Sequence, residues 1–216
     1  MGYHEAVAIQ KGLRSQVVRR GSVRPLRMIA GADVSYAKRA ATMYAAVVVL
    51  EWPSLDVVEE VTAQRKAEFP YIPGLLSFRE MPALLAVFEK LQAKLDVIVC
   101  DGHGVAHPRG FGIASHLGVL LDVPTIGCAK KRLVGEHVEP GPEKGSRAPL
   151  RFDGRTVGTV LRTRSNVKPV FVSVGHRIAL SSAVRIVLET AVRYRLPEPT
   201  RLAHVLSNAA RRGELQ

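Results

Sequence analysis

The chain alternates short, strongly apolar runs with polar breaks, and the spacing inside each run predicts the element it forms. PLRMIAGADVSYA, beginning at Pro25, is apolar until Asp33, and MYAAVVVLEWPS, beginning at Met43, is a second run closed by Trp52, Pro53 and Ser54. LDVVEEVTAQRKAEF (Leu55 to Phe69) alternates enough to be a third strand, so three consecutive strands with short turns predict an antiparallel meander. From Pro82 to Leu95 the apolar residues recur at helical spacing with charges opposite, an amphipathic helix. DVIVC (Asp96 to Cys100) is the uniform apolar pattern of a strand buried on both faces, and GIASHLGVLLDVPTIGC continues with helix, turn and another buried strand. TVGTVLRTR and KPVFVSVG predict two more strands, and LSSAVRIVLETAVRYR and TRLAHVLSNAARR two closing helices. A meander that feeds a strand, helix, strand unit predicts an α/β fold: a mixed central sheet with helices on its faces. One domain is expected over residues 1–216, with the Gly, Pro and charge-rich loop at 136–147 as its mobile segment.

Composition narrows the class. At 216 residues and 47% hydrophobic content the chain can bury a substantial core. Two cysteines, Cys100 and Cys128, are too few for a disulfide framework, and both sit in apolar contexts, which suits a reducing interior. No apolar run approaches membrane-spanning length and the N-terminus has no apolar leader, so a soluble, cytoplasmic protein is expected. The formal charge of +12 is clustered. Arg14, Arg19, Arg20, Arg24 and Arg27 precede the first strand with no acid among them, and a second basic group runs from Lys130 to Lys168. Such fields attract polyanions, nucleic acid foremost.

The candidate chemistry lies at strand ends. Asp33 and Asp101 close two apolar strands, and open α/β sheets bind ligands where strand carboxyl ends meet. Two bare carboxylates there would repel unless a cation neutralises them, and hard oxygen donors favour Mg²⁺ or Mn²⁺ over zinc. Either aspartate read alone is equally a turn or N-cap residue. Glu80 closes SFRE, which fits a capping box with Ser77 at the N-cap; Pro82 counts against that, and a helix beginning near Met81 would leave Glu80 free to face the aspartates. His103 and His107 are spaced like zinc ligands, but Gly102, Gly104 and Pro108 make a helix there improbable. His107, with an ordinary pKa near neutrality, is better placed as a proton shuttle or hydrogen-bond donor beside a phosphate. In PYIPG, prolines on both sides stiffen Tyr71 and Ile72, which can then be presented as a wedge between bases; a proline-bounded turn packed on the core is the plainer reading. His176, where a strand passes into a helix, is a candidate to approach the metal site, and His204 falls in an amphipathic helical pattern that favours packing.

GADVSY, PYIPGLLSFRE, DGHGVAHPRGFGIASHLG and TIGCAKKRLVG, in this order and at these separations, resemble the endonuclease V family, and with FVSVGHRIAL and PEPTRLAH the resemblance spans Arg14 to Arg211. It implies an RNase H-like fold. It also implies a metal-dependent endonuclease that hydrolyses the second phosphodiester bond 3′ to deoxyinosine, the product of adenine deamination, leaving 3′-hydroxyl and 5′-phosphate ends for DNA repair. An inosine-specific endoribonuclease is the alternative. By the same resemblance Asp33, Glu80 and Asp101 are the acidic metal set for Mg²⁺, with Mn²⁺ as a substitute, His107 is an active-site histidine, and Lys130 contacts the phosphate near the scissile bond. Tyr71, Ile72 and Pro73 then form a strand-separating wedge, and Gly74, Leu76, Gly102, Gly112, Ile113 and Ala129 line a pocket for the flipped base, where glycines allow close approach. The implied partner is inosine-containing DNA, single- or double-stranded, with RNA as the alternative, bound by a monomer.

Overall fold

The three N-terminal apolar runs pair in chain order, as their short connections require. In the computed structural model, which describes residues 1–37 and 41–215, β1 (Met28–Ser35), β2 (Thr42–Glu51) and β3 (Val57–Lys66) form the antiparallel meander. β4 (Val97–Cys100) adds parallel to β1, and β5 (Thr125–Ala129) parallel to β4. β6 (Arg147–Phe152), β7 (Arg155–Leu161) and β8 (Val170–His176) complete one eight-stranded mixed sheet of order β3-β2-β1-β4-β5-β8-β7-β6. The short β4 and β5 are central and wholly buried, which is why their sequences are apolar without alternation.

Period-two geometry sorts the strand residues between two cores. Ile29, Val97 and Val99 face one side, packed under α4 (Leu180–Thr190) and α5 (Glu198–Arg212). Ala30, Ala32, Ile98 and Cys100 face the other, under α2 (Leu76–Phe88) and α3 (Ile113–Leu121). Each fully buried branched side chain in these layers contributes roughly 1.5–3 kcal/mol relative to exposure. Small residues set the approach of α5: a Cβ at Gly31 in β1 would fall 1.9 Å from the Pro199 carbonyl oxygen, so only glycine lets the helix start settle on the strand.

The structure departs from expectation at four elements. The N-terminal segment forms a helix, α1 (Tyr3–Arg14), of which Ala6 and Gln10 are the buried residues. So little apolar surface gives a weak periodic signal. β6 was also not expected; its alternation is clear, but it carries Pro149, and it is tolerated because β6 is an edge strand. α2 begins at Leu76 rather than near Met81 and stops at Phe88, so Pro82 lies inside the helix, with its ring on the exposed face, and no side chain caps the N-terminus. The capping box at Ser77 therefore does not form. α4 ends at Thr190, short of Arg195, where the Thr190 hydroxyl donates to the Ile186 carbonyl at 2.7 Å and competes with the helical ladder.

The 136–147 segment is tied to the body at several points. Arg162, only 8% exposed, donates to the Pro140 carbonyl (2.8 Å) and to Glu139 (2.7 Å), and Lys144 Nζ donates to the Ala191 carbonyl at 2.9 Å.

Candidate active site

Strand register brings the two aspartates together. Ala32 pairs with Cys100 across the parallel β1–β4 ladder, so Asp33 and Asp101 are the next residues on neighbouring strands and share a face by the alternation that puts Gly31 under α5. The Asp101 amide donates to the Ala32 carbonyl at 3.2 Å, continuing the ladder one residue past β4. From α5, Ser207 donates its hydroxyl to Asp33 Oδ2 at 2.6 Å, and His204 Nδ1 lies 3.1 Å from the same oxygen. Among the described residues one group has metal-ligand spacing: Asp33, Asp101 and His204 offer atoms all within 4.8 Å of one another. The two carboxylates suit a hard cation of the Mg²⁺ or Mn²⁺ type, and the imidazole is a softer donor that such an ion does not require.

The electrostatics depend on that cluster. Burial opposes ionisation of Asp33, but hydrogen bonds from His204 and Ser207 outweigh it and hold its carboxyl below the usual range. Burial raises Asp101, partly offset by Lys130, whose ammonium hydrogen-bonds Asp101 Oδ2. Glu80 reaches the site from α2 and is pushed up to about 8 by burial and by the Asp33 and Asp101 charges, with a hydrogen bond from Tyr36 opposing. It stands outside the 4.8 Å set, and His204, expected to be a packing residue, stands inside. Lys130 is held in place through its backbone: Arg195 Nη2 donates to the Lys130 carbonyl at 2.7 Å.

Beside the carboxylates lies a cavity of about 320 Å³. Asp33, Glu80 and Asp101 form part of its wall, and the rest includes Tyr71, Pro73, Gly74, Leu76, Gly102, His107, Gly112 and Ile113. The sequence-derived set is thus largely assembled in one place. Lys130 joins it through Asp101 rather than by lining the cavity, and two members stand apart. Ile72 packs against the cluster of Ala6, Phe69, Leu75 and Phe78, and the Ala129 methyl lies with Ala106, Leu150, Val160 and Phe171. Neither lines the cavity, because Ile72 turns inward from the loop and Ala129 is a strand residue buried under the β6–β7 hairpin.

Other expectations change in detail. A Cβ at Gly112 would fall 2.3 Å from the His103 carbonyl oxygen, so this glycine is required by the chain's own fold at the start of α3. His107 is 6% exposed, and burial followed by the Arg109 charge pushes it down to about 4, so it is neutral near pH 7 and supplies hydrogen bonds rather than charge. His103 Nε2 lies 2.9 Å from the Lys131 carbonyl and joins no metal-type cluster among the described residues. His176, 3% exposed, sits 3.2 Å from Asp122 Oδ1 and accepts the Val18 amide at 3.3 Å, away from the carboxylates.

A buried clamp that sequence reading missed fixes the cavity rim. Gln10 of α1, 1% exposed, donates to the Gly74 carbonyl (3.1 Å) and the Phe111 carbonyl (2.9 Å), while its own oxygen accepts from Arg109 Nε. Arg109 also donates to the Gly74 carbonyl. The left-handed Gly74 (φ +79°) and the approach to α3 are thus tied to one side chain. Tyr71, by contrast, is 62% exposed at the rim.

The endonuclease V family profile matches residues 11–205. The chain belongs to the endonuclease V family. It is similar to endonuclease V of Roseiflexus sp. (strain RS-1), with 50% identity over 207 residues, 96% of this chain and 92% of that protein. The crystal structure of endonuclease V from Streptomyces avermitilis superposes with a TM-score of 0.94 at 46% identity, covering 99% of this chain and 94% of that one. Ciona intestinalis endonuclease V, crystallised with a 24mer DNA containing an inosine followed by a ribo-adenosine, gives a TM-score of 0.86 at 28% identity, covering 98% of each chain. The fold is therefore RNase H-like, and the protein is a nuclease of this family. No helix among the described residues is long and apolar enough to cross a membrane.

Proposed function

We propose that this endonuclease V recognises deoxyinosine in DNA and, with Mg²⁺ or Mn²⁺, hydrolyses the second phosphodiester bond 3′ to it, leaving 3′-hydroxyl and 5′-phosphate ends. The observation that carries the reading is one cavity lined both by Asp33, Glu80 and Asp101 and by Gly74, Leu76, Gly112 and Ile113. A base drawn into it brings its own backbone to the carboxylates. The complex of the Ciona enzyme with inosine-containing DNA supports the choice of base.

Asp33, Asp101 and His204 would hold the cation, which when bound supplies Lewis-acid stabilisation and a water of lowered pKa. The residues of this chain do the rest. Ser207 and His204 keep Asp33 ionised and aimed. Lys130, paired with Asp101, brings positive charge to where a phosphate oxygen develops negative charge. Glu80, proton-bearing near neutrality in the absence of a cation, orients water at the cavity edge. Backbone amides of the cavity wall, other than the Gly112 N–H that donates to the Gly104 carbonyl, read the O6 and N7 acceptors of hypoxanthine, and exposed Tyr71 enters the stack the base has left. The protein acts as a monomer.

The test incubates the purified protein with matched labelled DNA and RNA oligonucleotides, each with or without one inosine, in Mg²⁺, Mn²⁺ or EDTA. A metal-dependent cut one nucleotide beyond inosine in DNA is the expected result. The second reading, an inosine-specific endoribonuclease, is favoured by the ribo-adenosine beside inosine in the Ciona complex. A cut confined to RNA would establish it instead.

A further inference from the structure

A second cleft, of about 370 Å³, adjoins the first and shares only His107 with it. Three arginines converge there from separate parts of the chain: Arg14 ends α1, Arg19 lies in the segment after it, and Arg155 opens β7. Their placement is built. The Arg14 guanidinium lies across Gly110, where an added Cβ would fall 2.9 Å from its Nε, and Arg19 Nη2 donates to the Thr156 carbonyl at 3.2 Å. Among the described residues none of the three forms an ion pair, whereas Arg162, Arg177, Arg185, Arg201 and Arg212 all do. Asp153 is the one acid in the lining, exposed at the β6–β7 turn with φ +49°.

We propose that this cleft binds a backbone phosphate of the substrate strand on the 5′ side of the inosine. Guanidinium forks match phosphate oxygens in geometry and charge. The direction follows from connectivity and rests on the proposed function: the strand 3′ of the inosine runs to Asp33, Asp101 and Lys130, none of which lines this cleft. His107 therefore stands as the partition between base and 5′ phosphate. This gives a second, chemistry-independent role to the basic N-terminal segment, whose charge the active site leaves unused.

The test measures binding of single-stranded inosine oligonucleotides, with Ca²⁺ in place of Mg²⁺, while the strand is shortened one nucleotide at a time from the 5′ or the 3′ end. For the wild type, affinity is expected to drop about tenfold at one 5′ step, the size of a lost charge-assisted contact. The double variant Arg14→Gln, Arg155→Gln is expected to start about tenfold weaker on long strands and to show no 5′ step. The slope of log affinity against log salt should shallow by roughly 0.7 for each phosphate contact removed. Asp153→Asn keeps a residue suited to the left-handed turn while removing the repelling charge, and is expected to tighten binding by about threefold, the reverse sign. A 5′ step that persists in the double variant, or unchanged affinity in it, overturns the cleft. If the wild type does not prefer inosine strands over adenine controls, the proposed function fails instead, whatever the arginines do.

Discussion

His204 Nδ1 sits 3.1 Å from Asp33 Oδ2, joining two residues 171 positions apart in the chain. Ser207, one helical turn on, donates to the same oxygen at 2.6 Å, so the first strand's carboxylate is held by the last helix. Groups that orient a metal-binding carboxylate usually matter by about 10- to 100-fold in affinity or activity. Ser207→Ala is expected to lower cleavage within that range, and His204→Ala, which also removes a proposed ligand, by at least as much, and both to raise the Mg²⁺ concentration giving half-maximal rate. Single-turnover cleavage across a metal titration reads both, and wild-type behaviour in both variants would leave Asp33 dependent on neither.

Asp33→Asn and Asp101→Asn each remove one charge from the cluster while keeping side-chain volume. Cleavage is expected to fall below detection in either, with binding to inosine DNA still measurable by fluorescence anisotropy. Full activity in either variant would take that aspartate out of the metal set.

Tyr71 is largely solvent-exposed, so Tyr71→Ala forfeits little packing and should change stability by no more than about 0.5 kcal/mol. Its effect should fall on the ratio of inosine to adenine cleavage. An unchanged ratio would remove the wedge.

Gln10 presents the opposite case. Gln10→Ala leaves the Phe111 carbonyl and the Arg109 Nε–H without their partner, an expected loss of roughly 1–3 kcal/mol in denaturant unfolding. Inosine selectivity should weaken as well, since Gly74 loses one of its two tethers. A variant as stable and selective as the wild type would show that the rim is fixed by other contacts.

Acid stability follows from two buried imidazoles. His116, 5% exposed and packed between Phe78 and Phe111, is pushed by burial down to about 4, as is His107. The unfolded chain takes up these protons near pH 6.5 and the folded chain resists until about 4, so stability is full above that window and falls as pH drops through it. Chemical denaturation from pH 7 to pH 4 should show the decline, lessened by Glu80, whose proton the folded chain holds up to about 8, and His116→Gln should reduce the slope by one proton, about 1.4 kcal/mol per pH unit, whatever its absolute stability. An unaltered slope would place the proton uptake elsewhere.

Central architecture was legible in the chain because β4 and β5 are apolar throughout and three successive strand-like runs are joined by short turns. Asp33 and Asp101 were legible for the same reason, being the polar residues that end such runs. What stayed hidden involved partners distant in sequence or residues breaking a local rule. Pro82 argued against so early a helix start, yet α2 runs from Leu76 through it, and Pro149 masked an edge strand. Gln10 looked like one polar residue in a polar segment, since nothing local reveals that Phe111 and Arg109 fold onto it. His204 reads as one polar position of an amphipathic helix, and its pairing with Asp33 exists only once α5 lies on β1.

That last docking has a consequence for the timing of biosynthesis. A chain emerging from the ribosome displays Asp33 and Asp101 more than a hundred residues before His204 and Ser207 are made. Gly31 waits under the same helix, open until Pro199 arrives to cover it. An unfinished or C-terminally truncated chain would therefore carry the acids without the helix that aims them.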